Sequence, residues 1–114
     1  MKKQGLNLLT GPGNDIVSTT NLTAAGANII LFTTGRGTPL GASVPTIKVA
    51  SNSRLAKRKS NWIDFNAGEL IKSNDFENMT EEIFKLLIDI ASGRQTKNEQ
   101  NGYRDISIFK DGVI

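Results

Sequence analysis

The chain has 114 residues, 38% hydrophobic and 22% charged, with a net charge of +3 and neither histidine nor cysteine. That is enough for one domain with a modest core, and it excludes a disulfide framework, a Ser-His-Asp triad, a Cys-His pair and a typical zinc site. Aromatic residues are only 6% of the chain, too few for base-stacking platforms, and no apolar run approaches the roughly 18 residues of a membrane span.

We therefore expect a cytoplasmic protein with neither nucleic acid nor membrane as a partner. A basic nucleic-acid module is the weakest of the alternatives, since its charge rests mainly on Arg54-Leu-Ala-Lys-Arg-Lys59.

Leu6-Asn-Leu-Leu9 reads as a short strand running into the turn Gly11-Pro-Gly13. Asn14 or Asp15 then suits the N-cap of a helix reaching about Ala25, and Gly26 closes it. Asn28–Thr33 is the strongest strand, because its continuously apolar centre fits a parallel strand covered on both faces. A glycine-rich loop follows, Thr33-Thr-Gly-Arg-Gly-Thr-Pro39. Thr46–Ala50 alternates as a third strand, and Ser53 opens a short, solvated basic helical turn through Lys59. Trp62–Phe65 is a fourth strand, ended by the turn Asn66-Ala-Gly68.

Asn78 is expected to cap the clearest helix, with Glu81 completing a capping box. Met79, Ile83, Leu86, Leu87, Ile90 and Ala91 form its apolar stripe, and Gly93 ends it. The polar stretch Arg94–Gly102 reads as a mobile loop, Asp105–Phe109 as a last strand and Asp111-Gly112 as a turn. Strands alternating with helices predict a single α/β domain over residues 1–114. Its mainly parallel sheet is flanked by helices in a Rossmann-like layering. The abrupt start on a strand and the stop soon after one fit a piece of a longer protein.

In such a sheet, ligands sit beyond the carboxyl ends of the strands. Three segments fall there: Thr10-Gly-Pro-Gly-Asn-Asp15, Thr33–Pro39 and Asp64-Phe-Asn-Ala-Gly68. Gly11 and Gly13 let backbone N–H groups approach a ligand, and the helix start beside Asn14 and Asp15 favours an anion. Gly35 and Gly37 flank Arg36, so its guanidinium can meet an oxyanion bidentately. Thr33, Thr34 and Thr38 carry hydroxyls suited to a polyol. Asp64 and Asn66 can accept from sugar hydroxyls or hold a hard cation, and Lys48 can neutralise a carboxylate. Each has a structural alternative: Asp15 as a helix cap, the threonines as strand, Asp64 facing solvent, the glycine loop as a plain connection. Nucleotide motifs fare worse. GxxxxGK[ST] is absent, and Leu40 stands where a GxGxxG starting at Gly35 would need its third glycine.

The combination of TGPGND, FTTGRGTP and WIDFNAG resembles the C-terminal part of the altronate/galactarate dehydratase family, and the likeness runs on to ISIFKDGV at the tail. It covers nearly the whole chain. The resemblance implies a hydro-lyase that converts D-altronate to 2-keto-3-deoxy-D-gluconate, with a divalent metal, iron or manganese, in the full-length enzyme. Its implied partners are a small sugar acid and the enzyme's own N-terminal and central parts, the latter rich in histidine and cysteine. A homo-oligomer is compatible with it. On this reading Asn14, Asp15, Thr33, Thr34, Gly35, Arg36, Gly37, Thr38, Asp64 and Asn66 contact substrate, and the metal ligands stay unassigned. The general base lies outside this chain, or is Lys48 if desolvation lowers its pKa. The isolated piece is expected to be inactive. The rival is a sugar-acid-binding or scaffold module with no catalytic residue of its own.

Overall fold

The computed structural model describes residues 3–108. Helix α1 spans Asp15–Ala24, and its N-cap is Asn14, whose side-chain oxygen accepts from the backbone N–H groups of Ile16 (3.2 Å) and Val17 (3.5 Å). Its threonines, poor helix formers, bond back onto the helix itself. The hydroxyls of Thr19, Thr20 and Thr23 donate to the carbonyls of Asp15, Ile16 and Thr19, which spares them a search for partners elsewhere.

Strands β1 (Ile30–Thr34), β2 (Thr46–Ala50) and β3 (Phe65–Asn66) form a parallel sheet in the order β1-β2-β3. Thr34 pairs with Ala50 and Ala50 with Asn66, so all three strands end level. Helices α2 (Ser53–Arg58), α3 (Leu70–Ser73), α4 (Phe76–Ala91) and α5 (Lys97–Gln100) complete the described elements, with a short 3-10 turn at Ala67–Glu69. Ile47 and Val49 project to one face, where Ile83, Leu86, Leu87 and Ile90 of α4 cover them. Ala50 projects to the other, against Leu55 of α2 and Ile63. The sheet therefore lies between helices, a mixed α/β layering. No described helix is long and apolar enough to cross a membrane.

Several expectations change. Leu6–Leu9 is not a strand: Leu6 and Leu8 are more than nine-tenths exposed, and the Asn7 amide folds back to the carbonyls of Lys3 and Gly5. The strand covered on both faces is β2, not the more apolar β1. All five residues of β2 are buried, while Leu31 and Thr33 of β1 are exposed. Position between two neighbours decided this, and hydrophobicity did not. Trp62–Phe65 yields only Phe65 to β3, because the N–H groups of Trp62 and Ile63 both donate to the Lys59 carbonyl and close a turn after α2.

Helix α4 begins three residues before expectation. Asp75 is its cap and accepts from Asn78 N–H at 3.1 Å, while the Asn78 amide bonds Glu82. Asn52, rather than Ser53, caps α2. The stretch read as a mobile loop contains α5, opened by a capping box between Thr96 and Glu99. Asp105–Ile108 carries no strand, and Phe109, Asp111 and Gly112 lie outside the described residues.

Candidate functional site

The level strand ends bring the loops after β1, β2 and β3 to one edge. Backbone and side-chain hydrogen bonds stitch them together. Thr34 O accepts from Ser51 N–H (3.0 Å), and the Asn52 amide donates to Gly35 O (3.0 Å) while its oxygen caps α2. The Asn66 amide donates to Ser53 Oγ (3.1 Å) and to Glu69 Oε1 (3.0 Å), and its oxygen accepts from Gly68 N–H (3.1 Å). The Ser53 hydroxyl in turn donates to Glu69 at 2.7 Å. That bond, followed by nearby Lys72, holds the Glu69 carboxyl below its ordinary range. A side chain at Gly68 would place its Cβ 2.4 Å from Ser53 N, so glycine is what lets the second and third loops touch.

The Arg36 loop has its own architecture. Gly37 has φ +88°, which L side chains rarely adopt, and its N–H donates to Thr34 Oγ1 at 3.0 Å. Thr38 turns its carbonyl to Lys48 Nζ. The Lys48 side chain is fully buried, with its ammonium 4.5 Å from the centre of the Phe32 ring. Burial lowers its pKa from the ordinary 10.5 to about 8, against the opposing pull of Asp15, Asp64 and Asp105.

The expected site residues divide among three places. Gly35 and Arg36, with Asn52, Arg54, Leu55 and Arg58, line a cavity of about 420 Å³. Asp15 and Thr33 share a second cavity of about 240 Å³ between α1 and β1. Asp64 lines a third, about 250 Å³, against α4 and α5. Asn14 is committed to its cap and Asn66 to the Ser53–Glu69 network. Asp64 has both oxygens engaged by backbone: Oδ2 accepts from Lys48 N–H (2.8 Å) and Oδ1 from Lys97 N–H (2.9 Å). Among the described residues no group of three acidic side chains converges as metal ligands.

Sequence reasoning passed over Asn52, Arg54 and Arg58. Their signal was present: two arginines four apart on a helix that starts just past a strand's carboxyl end. That segment reads equally well as a solvated basic face.

Fold and site together define a mixed α/β domain, a three-strand parallel sheet between helices with the loops after its strands at one carboxyl edge. The chain matches the family described as D-galactarate/Altronate dehydratase, C-terminal, over residues 1–114, and it belongs to that family. It is 50% identical over 99% of its length to altronate dehydratase of Escherichia coli (strain K12) and 47% identical over 99% to altronate dehydratase of Bacillus subtilis (strain 168), covering 23% of each. With galactarate dehydratase (L-threo-forming) of Escherichia coli (strain K12) it shares 36% identity over 98% of the chain and 22% of that protein. The chain thus spans about a quarter of the length of the curated relatives it matches.

Proposed function

We propose that this chain is the C-terminal domain of a hydro-lyase that dehydrates D-altronate to 2-keto-3-deoxy-D-gluconate, bringing substrate-binding loops to a composite active site. The observation that carries the reading is its 50% identity to an altronate dehydratase across almost the whole chain. The sheet serves as a Rossmann-like layer with substrate at its carboxyl edge. The partners are a sugar acid and the remaining parts of the same cytoplasmic enzyme.

The reaction removes a weakly acidic proton α to a carboxylate and expels the β-hydroxyl. Charge builds on the carboxylate as an enediolate, so fixed cations and donors accelerate it. Arg36, between Gly35 and Gly37 in the loop after β1, is a cation this chain offers. Proton abstraction needs an accessible base. Lys48 is enclosed beneath Thr38 and Phe32, so in our reading the base, like the ligands of iron or manganese, belongs to other parts of the enzyme. Lys48 serves instead to pin the Arg36 loop.

That same enclosure favours one second reading, a scaffold or sugar-acid-binding module without catalytic residues. Steady-state kinetics of the intact enzyme separate the two. Arg36→Ala is expected to raise KM for D-altronate on the order of tenfold or more, the size of a lost charged hydrogen bond, with a further fall in kcat if the contact strengthens in the transition state. Unchanged kcat and KM would leave only the scaffold. A wild-type enzyme that releases no 2-keto acid from D-altronate would end the first reading.

A further inference from the structure

Arg36, Arg54 and Arg58 reach one cavity from two different elements. Arg54 and Arg58 stand four apart on α2, which makes them neighbours on the helix surface. Like charges at that spacing destabilise a helix, and Arg36 adds a third from the facing loop. All three are exposed, and none is joined to a carboxylate: the ion pair among the described residues joins Arg94 to Asp89 (3.4 Å). Asn52 fixes the separation of the two elements by bonding Gly35 O with its amide and Leu55 N–H with its oxygen. Leu55, buried, backs the cavity with an apolar wall. A cavity of about 420 Å³ is of the size that takes a small organic molecule.

We infer that Arg36, Arg54 and Arg58 form a carboxylate-binding cleft for the sugar acid, with Asn52 as the residue that positions the two sides. The assignment rests on the hydro-lyase reading for its choice of ligand. Guanidinium forks bind carboxylates bidentately, and an arriving anion relieves the repulsion among the three. Arg54 and Arg58 are thereby binding residues of this family member alongside Arg36.

The test is titration of the intact enzyme, 15N-labelled segmentally in this domain, with sodium D-altronate and, in separate arms, with uncharged D-altritol and with inorganic phosphate. Saturable shifts of the Gly35, Asn52 and Leu55 amides by altronate, absent with altritol, are expected. Arg54→Gln and Arg58→Gln should each weaken that binding about tenfold, and glutamine keeps nearly the helix propensity of arginine, so the thermal midpoint should hold. Shifts confined to other residues, phosphate binding as tightly as altronate, or glutamine variants that bind like wild type would each overturn the cleft. The intact enzyme divides the two levels. One inert toward D-altronate sinks the parent reading and with it the choice of ligand. An active one whose Arg54→Gln and Arg58→Gln variants keep the wild-type KM sinks the cleft alone.

Discussion

A lysine enclosed on the middle strand of a sheet has an electrostatic signature. The pKa of Lys48 falls from 10.5 to about 8 on folding. Below pH 8 both folded and unfolded chains hold the proton, and the folded state bears the full desolvation cost. Between about 8 and 10.5 the unfolded chain still binds the proton that the folded chain has released, so stability rises with pH across that window. Relative to a Lys48→Met variant, wild type should gain up to about 3 kcal/mol there, read from urea midpoints at a series of pH values. A flat difference would mean the ammonium is not enclosed. At this scale the sequence was half legible. It singled out Lys48, Arg36 and Asp64 as charges at the sheet, yet burial and partner choice depend on what packs over them. Asp64 alternates with Ile63 and Phe65 in the sequence as a solvent-facing strand residue would, and turns instead onto two backbone donors.

Those two donors belong to different elements, so Asp64 joins β2 to α5. Asp64→Ala strands both N–H groups and should lower stability by about 3 kcal/mol, while Asp64→Asn, which retains an acceptor, should lose less. Thermal unfolding of the two variants checks the order. Elements with a self-contained signal were readable: α1 from its Asn14 cap, β2 from its boundaries, α4 from its stripe. Helix α5 was also written plainly, in the Thr96-Lys-Asn-Glu99 spacing of a capping box. Its polar composition drew attention away, because Thr96 and Asn98 are buried by hydrogen bonding rather than by hydrophobicity, with the Asn98 amide donating to Thr46 O at 3.1 Å. β3 could not have been bounded from sequence, since a turn after α2 claims the N–H groups of Trp62 and Ile63.

Over the whole molecule, apolar surface is left uncovered. Phe84 and Ile88, four apart on α4 and turned away from the sheet, are 62% and 49% exposed, and Phe76 in the first turn of the helix is 69% exposed. Exposed patches of this kind favour association. The chain in isolation should therefore enhance the fluorescence of an apolar dye, and Phe84→Glu should reduce that signal without lowering the thermal midpoint. An unchanged signal would place the dye elsewhere. Another property follows from the Asp64 and Asn98 contacts. During synthesis, which proceeds from the N-terminus, β2 and β3 leave the ribosome well before Thr96–Asn98. Until those residues emerge, Asp64 lacks Lys97 and the Thr46 carbonyl lacks Asn98. The nascent sheet must wait, incompletely bonded, for a late-arriving latch.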